Sequence, residues 1–478
     1  LDIHLTVHAG SDLTGQIYRQ IRSGILEGRL ASRERLPSSR LLAAQLGVSR
    51  KTTLDVYERL MAEGFLYARS GSGTFVADAM TGLPSRKTKP VATRAMPSPV
   101  WRSLPEPIVM RRPGPALAMD FAGGVTDKSR FPAASWRRSL LHALRQQLRD
   151  GSGYREPGGD PSLRLAISRY LGFSRALVCS WQEVIVTQGA QQALDLLARV
   201  MIQPGDVVAV EDPCYPPARA SFIAQGARVV PVPVDEQGLI VERLPGKARL
   251  VYVTPSHQFP LGMPMGVERR LQLLEWAKRR DAVIIEDDYD GEFRFEGRPL
   301  EPLKSLDPAG LVAYVGTFSK TIFPELRMGY MLAPASLAPA LLKAKQIVDW
   351  HGCTLTQAAL AHFMLGGEFA RHLRRMHKLY TARRQTLLKH LQGPLAAWFQ
   401  PPKQAAGIHM GARFSRPVAE DALRMAAEQA SIGLHGLSQF YIERPAEPGL
   451  LFGYGNIEVH EIEKALDILA GILPQSLR

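Results

Sequence analysis

The residues best equipped for chemistry lie in two short stretches. The first is Tyr314-Val315-Gly316-Thr317-Phe318-Ser319-Lys320, with Arg327 seven residues on. A lysine amine that is partly desolvated loses its preference for the charged form and becomes a nucleophile toward an aldehyde. The hydroxyls of Thr317 and Ser319, with the fork of donors on Arg327, suit a phosphate dianion. Together they point to a phosphorylated aldehyde held as a Schiff base on Lys320. The second stretch is Val283-Ile284-Ile285-Glu286-Asp287-Asp288-Tyr289. A carboxylate just beyond a buried strand is costly unless paired. A protonated pyridine nitrogen is a suitable partner, and keeping it protonated makes the ring an electron sink. Asp287 is the expected partner because it follows the strand directly, and Tyr289 can reach a ring hydroxyl.

These groups need a scaffold. Val184–Thr187 reads as a buried strand and Gln191–Met201 as an amphipathic helix. Between them, Gly189, Ala190 and Gln191 sit where backbone N–H groups and the helix dipole favour a phosphate. Tyr215 ends a turn and can stack on a planar ring. Val207–Val210, Leu250–Val253 and Leu311–Val315 are further apolar runs, with helices at Pro217–Gln225 and Val267–Arg280. Continuous apolar strands alternating with helices predict a mostly parallel sheet covered on both faces.

The N-terminal residues follow another pattern. Leu13, Ile17, Ile21 and Ile25 share one helix face, and Gly28 marks a stop. In Leu36-Pro37-Ser38-Ser39-Arg40-Leu41-Leu42, a serine caps a helix that Gly47 ends. Ser49 caps the next helix, whose expected inner face is Leu54, Tyr57, Leu60 and Met61. Helix, short glycine turn, helix is the helix-turn-helix pattern. Arg50, Lys51, Thr52 and Thr53 occupy the first turn of its second helix, where such a helix meets DNA. Phe65–Tyr67 and Thr74–Val76 then flank a basic, glycine-rich tip containing Arg69, Gly71 and Gly73. Arg35, Ser39, Arg40 and Ser49 complete the expected DNA-contacting set.

The chain has 478 residues, with 59 Lys and Arg against 45 Asp and Glu, giving +14. A 22% charged, 45% hydrophobic composition excludes global disorder. No apolar run reaches the ~20 residues of a membrane helix. Leu1–Gly10 carries no secretory pattern, and three cysteines make neither a disulfide framework nor a metal-ligand spacing. The expectation is a reduced, cytoplasmic, nucleoid-associated protein with no metal. Three segments separate by composition: residues 1–80, a Pro-rich basic stretch 81–117 expected to run extended as a spacer, and 118–478.

The N-terminal pattern resembles the winged-helix domain of the GntR family. From 118 on, the motifs in their order resemble the fold-type-I pyridoxal phosphate aminotransferases. The likeness implies an α/β domain with a small C-terminal α+β subdomain. It implies that Lys320 forms the Schiff base, Asp287 pairs with the pyridine nitrogen, Tyr289 binds the ring oxygen and Tyr215 stacks on the ring. Gly189, Ala190, Gln191, Thr317, Ser319 and Arg327 would surround the phosphate. Tyr154 would reach the phosphate of a neighbouring subunit. The fusion of both parts is similar to the MocR/GabR regulators, which implies a head-to-tail homodimer. It also implies promoter double-stranded DNA as partner and a small amine, amino acid or pyridoxal phosphate as effector. A working aminotransferase with an auxiliary DNA-binding domain is the alternative. Two departures weigh against it. Aminotransferases carry Asn-Pro-x-Gly where this chain has Gln258-Phe259-Pro260-Leu261-Gly262, leaving His257 or Gln258 to stand in. The stretch Gly433–Tyr441 lacks the arginine that clamps a substrate carboxylate, with Arg413 and Arg444 nearby.

Overall fold

In a computed structural model the described residues are 5–7, 12–78, 96–105, 117–295, 301–402, 406–443 and 445–477. The chain divides into two compact units, Leu1–Pro97 and Ser98–Arg478. The division falls inside the stretch expected to act as a spacer. Most of that stretch, 79–95 and 106–116, lies outside the described residues. Where it is described, Pro99–Ser103 is a short helix and not extended chain. Proline at the first helical position has its φ preset for that conformation.

The described residues of the smaller unit form three helices and a hairpin: α1 (Leu13–Leu26), α2 (Ser39–Leu46), α3 (Arg50–Ala62), β1 (Leu66–Arg69) and β2 (Gly73–Val76). Ser38 caps α2 by accepting from Leu41 N, and Ser49 caps α3 by accepting from Thr52 N. Gly47, at φ +65°, makes the turn between them. Ile17, Ile21, Ile25, Leu42, Val56, Tyr57, Leu60 and Val76 form the core. The expected inner face of α3 needs one correction. Leu54 is 37% exposed, while Thr53 and Val56 are fully buried. Val56 lies four residues before Leu60 and Thr53 four before Tyr57, so helical geometry turns Leu54 outward.

The larger unit is built on an eight-stranded sheet. Its strands are β3 (Val184–Thr187), β4 (Val207–Asp212), β5 (Arg228–Asp235), β6 (Gly238–Leu239), β7 (Ala248–Val253), β8 (Val283–Asp288), β9 (Val312–Thr317) and β10 (Gly329–Leu332). Their order is β3-β10-β9-β8-β7-β4-β5-β6. The pairs from β9 through β5 are parallel, while β10 runs antiparallel to β9 and β3. Separate apolar clusters pack on the two faces. A second, four-stranded antiparallel sheet contains His409–Phe414 and Gly449–Gly453, packed with the helices Glu368–Gln392 and Val459–Ile472. This is the expected α+β subdomain. Among the described residues no helix is long and apolar enough to cross a membrane.

Candidate functional site

Open parallel sheets bind ligands beyond the carboxyl ends of their strands. The motif residues of the larger unit gather there, after Thr187, Asp212, Asp288 and Thr317. They surround a cavity of about 290 Å³. Its wall includes Lys320, Asp287, Tyr289, Tyr215, Ala190, Gln191, Thr317, Ser319 and Arg327.

Lys320 follows β9 and is half-buried. Its Nζ donates to the Gly124 carbonyl at 2.7 Å. A Cβ on Gly124 would stand 2.8 Å from that nitrogen, and Gly124 has φ +77°, so only glycine admits the amine here. Burial lowers the Lys320 pKa; Asp290 and Asp287 pull it back up, and Arg327 adds to the lowering. The amine is thereby shifted toward its neutral, nucleophilic form.

Asp287 and Asp288 have different fates because successive strand residues face opposite sides. Asp288 is bound by Arg175 at 2.5 Å and Tyr314 at 2.6 Å. Asp287 faces the cavity. Tyr252 donates to its Oδ2 at 2.8 Å, and its Oδ1 is buried with no partner. Burial raises the Asp287 pKa to about 7 against the lowering effect of the Tyr252 bond; Asp288 raises it further, Lys320 lowers it and Asp290 raises it.

At the opposite side, Gly189 opens the helix Gly189–Met201 with φ +74°. A Cβ there would lie 3.0 Å from Arg327 Nη2. Thr317 Oγ1 donates to Ser319 Oγ at 3.0 Å, and Arg327 donates to the Gln188 carbonyl at 3.0 Å. Hydroxyls, a guanidinium and a helix N-terminus thus converge, the donor set for a phosphate. Gln191 contributes its backbone position; its side chain donates to Ser221 at 2.8 Å.

Tyr154, expected to reach a neighbouring subunit, is 76% exposed and lies against Trp350. Other expectations meet a different geometry. The stand-ins for the missing asparagine do not form the wall. Gln258 donates to the Pro213 and Phe259 carbonyls at 2.8 Å each, which ties its loop to the one after β4. His257 bonds Asp290 at 2.8 Å. Tyr289 directs its hydroxyl to the His257 carbonyl at 2.9 Å. Arg413 borders another cleft and pairs with Glu447, while Arg444 lies outside the described residues. Two wall elements had no signal of their own: His409, a lone histidine more than eighty residues beyond Lys320, and the Gly123-Gly124-Val125 turn. Burial first, then His257 and Lys320, hold His409 well below the usual histidine pKa, so it is neutral. His257, Asp290 and His409 bring ligand-type atoms within 4.8 Å of one another. The two imidazoles are tilted by 32° with centroids 4.6 Å apart, and His257 already bonds Asp290.

In the smaller unit Arg35, Arg40, Ser49, Arg50, Lys51, Arg69, Gly71 and Gly73 are exposed, and Ser39 and Thr52 are half-buried. Arg50 and Lys51 stand at the first turn of α3. Thr53 departs from the expected contact set. It is fully buried, and its hydroxyl lies between the Ser39 and Arg50 carbonyls, at 2.8 and 3.0 Å. It ties α3 to α2 and has no free face for DNA.

Comparison with known proteins matches this division. Residues 13–76 match the family of bacterial regulatory proteins, gntR family, and residues 119–451 match aminotransferase class I and II. The chain is 38% identical to the probable rhizopine catabolism regulatory protein MocR of Rhizobium meliloti, over 95% of this chain and 92% of that protein. It is 32% identical to the pyridoxine biosynthesis transcriptional regulator PdxR of Corynebacterium glutamicum, over 95% of each. Among solved structures, the kynurenine aminotransferase of Pyrococcus horikoshii superposes with a TM-score of 0.70 at 27% identity, covering 76% of this chain and 92% of that one. A GntR winged helix and an aminotransferase-like α/β domain in one chain, with such relatives along almost its full length, place it in a family: it belongs to the MocR-type transcriptional regulators.

Proposed function

We propose that this chain is a pyridoxal-phosphate-dependent transcriptional regulator. Its larger unit senses an amine, an amino acid or pyridoxal phosphate itself at Lys320, and its winged helix binds promoter double-stranded DNA. One observation carries the reading. Lys320, Asp287 and Tyr289 line a single cavity in a chain whose other unit exposes Arg50 and Lys51 at the start of a recognition helix.

The residues present fit the cofactor: an orphaned carboxylate oxygen on Asp287, a lysine admitted by Gly124, and a donor cradle at Gly189, Thr317, Ser319 and Arg327. Pyridoxal phosphate, when bound, supplies an aldehyde that condenses with amines and a ring that withdraws electrons. The free oxygen of Asp287 would accept a hydrogen bond from the protonated ring nitrogen and so hold the proton there. Tyr215, in the cavity wall, would cover one face of the ring. Lys320 offers an amine that burial shifts toward its neutral form, and the half-enclosed cavity limits water. Tyr154, exposed, is assigned to the cofactor of a second copy in a head-to-tail homodimer. Residues 81–117 serve as the spacer between sensor and DNA-binding unit, and the protein works in the cytoplasm on the nucleoid. The effector must bind two arrangements of the chain with different affinity, or nothing shifts.

The test is footprinting of the gene's own upstream region with and without pyridoxal phosphate and candidate amines. Protection that changes with cofactor or amine is expected. Absence of any protected site under every condition overturns the reading. A second reading, a working aminotransferase, is favoured by the intact Lys320–Asp287 pair. Sustained keto-acid release over many turnovers on any amino donor would replace the sensor with the enzyme.

A further inference from the structure

We propose that Tyr252 is the positioning residue for Asp287: its hydroxyl takes up one carboxylate oxygen and aims the other at the cofactor's ring nitrogen. The inference rests on reading the cavity as a pyridoxal phosphate site. Tyr252 lies on β7, beside β8, where it pairs with Ile285 two residues before Asp287. It is fully buried, and its ring packs edge-on to Phe222 at 5.9 Å. Apolar packing therefore fixes the hydroxyl, independently of any ligand. That hydroxyl is 2.8 Å from Asp287 Oδ2, and Oδ1 is left without a partner.

The surroundings explain why such a donor is needed. Asp287 faces Lys320, which favours its charge. Asp288, Asp290 and Glu211 oppose that charge, and burial opposes it most. Tyr215 and Tyr289, themselves pushed up by burial, stay neutral. Without Tyr252 the carboxyl would be free to rotate toward the lysine and would hold its proton more readily. A protonated Asp287 cannot balance a pyridinium. Tyr252 thus favours the anionic carboxyl and orients it, without touching the cofactor.

The experiment uses the full chain and pyridoxal phosphate carrying ¹⁵N at the ring nitrogen. Wild type, Tyr252→Phe, Asp287→Asn and the double variant are titrated with this probe, and the ring-nitrogen resonance is followed between about pH 6 and 9. Expected is a ring nitrogen protonated throughout in wild type and losing its proton within that range in Tyr252→Phe, with affinity about tenfold weaker. In the Asp287→Asn background, Tyr252→Phe should change affinity less than about twofold, because the partner is gone. An unmoved nitrogen resonance in Tyr252→Phe overturns the proposal, as does an equal affinity loss in both backgrounds, which marks a merely structural tyrosine. Should Tyr252→Phe fail to fold, a fluorinated tyrosine at 252, a stronger donor of nearly the same shape, reverses the test. Followed in this arm to about pH 11, the nitrogen must then keep its proton to higher pH than in wild type, and a titration that coincides with wild type above about pH 9 overturns the proposal. Wild type that takes up no label overturns the underlying cofactor reading, which separates that failure from this one.

Discussion

The two units place their working side chains in opposite environments. In the smaller one, Arg35, Arg40, Arg50, Lys51 and Arg69 stand in solvent on a scaffold whose core is made of other residues. In the larger one, Asp287 is 3% exposed and shares a buried neighbourhood with Asp288, Asp290 and Glu211. An exposed cation costs the fold almost nothing. A buried carboxyl without a full set of partners costs stability until a ligand completes it. Substitutions should therefore separate function from stability in the first unit and trade one for the other in the second.

The largest effect tests the second half of that contrast. Lys320→Ala should abolish borohydride-trapped incorporation of pyridoxal phosphate completely, read by mass spectrometry. DNA affinity of the cofactor-free protein should stay within about twofold of wild type, because no DNA contact is assigned to Lys320. Trapping at another lysine would break the assignment.

Asp287→Asn should sharpen the contrast by gaining stability while losing cofactor. The Asp287 pKa is raised from 3.8 to about 7 in the folded chain. Between those values the folded state holds a proton that the unfolded state has released. Stability from this group is full below about pH 4 and is lost as pH rises to about 7. Asparagine does not ionise, so the unloaded variant should outlast wild type at pH 8, by up to about 4 kcal/mol at the limit set by the shift. The two proteins should converge near pH 4. Glu211, Glu286 and Glu292, also raised to about 7 mainly by burial, titrate in the same window. The informative quantity is therefore the difference between the two chains. An unloaded variant less stable than wild type at pH 8 would show that the carboxylate is satisfied within the fold.

Arg50→Ala addresses the exposed unit. It should weaken operator binding about tenfold and reduce the slope of log K against log salt by about one phosphate contact. Melting and cofactor uptake should stay unchanged. A lowered melting temperature would mean that the recognition helix depends on this residue for more than contact.

How much of this was legible in the sequence follows the same division. The helix-turn-helix and wing lie within one continuous stretch, and caps such as Ser49 and turns such as Gly47 act on their immediate neighbours. The apolar runs of β3, β4, β7, β8 and β9 mark a buried sheet wherever they occur. Lys320 and Asp287 are marked by their strand ends. His409 and Gly124 are not, because each is brought to the cavity by a fold that joins positions some 285 residues apart in sequence. Tyr252 reads as one more core residue in an apolar strand; only the register of β7 against β8 shows where its hydroxyl falls. Gln258 had the right neighbourhood and the wrong direction, since its side-chain bonds go to the Pro213 carbonyl after β4 and to its own loop at Phe259.

Thr53 is where local reading failed inside the otherwise legible unit, and it gives the smallest effect. Its position, first turn of α3 beside Arg50, Lys51 and Thr52, suggests DNA contact. Its burial and its bonds to the Ser39 and Arg50 carbonyls assign it to the joint between α2 and α3. Thr53→Val keeps the shape and removes the donor, leaving the Ser39 carbonyl without it. That should cost the smaller unit about 1 kcal/mol. The exposed neighbour supplies the control: Lys51→Ala should alter stability by less than about 0.5 kcal/mol while weakening DNA binding. For Thr53→Val, affinity per folded molecule and the salt slope should match wild type at a temperature where both chains are fully folded. A change in the salt slope would return Thr53 to the DNA face. A stability loss without it would place the boundary between contact and scaffold within a single turn of helix.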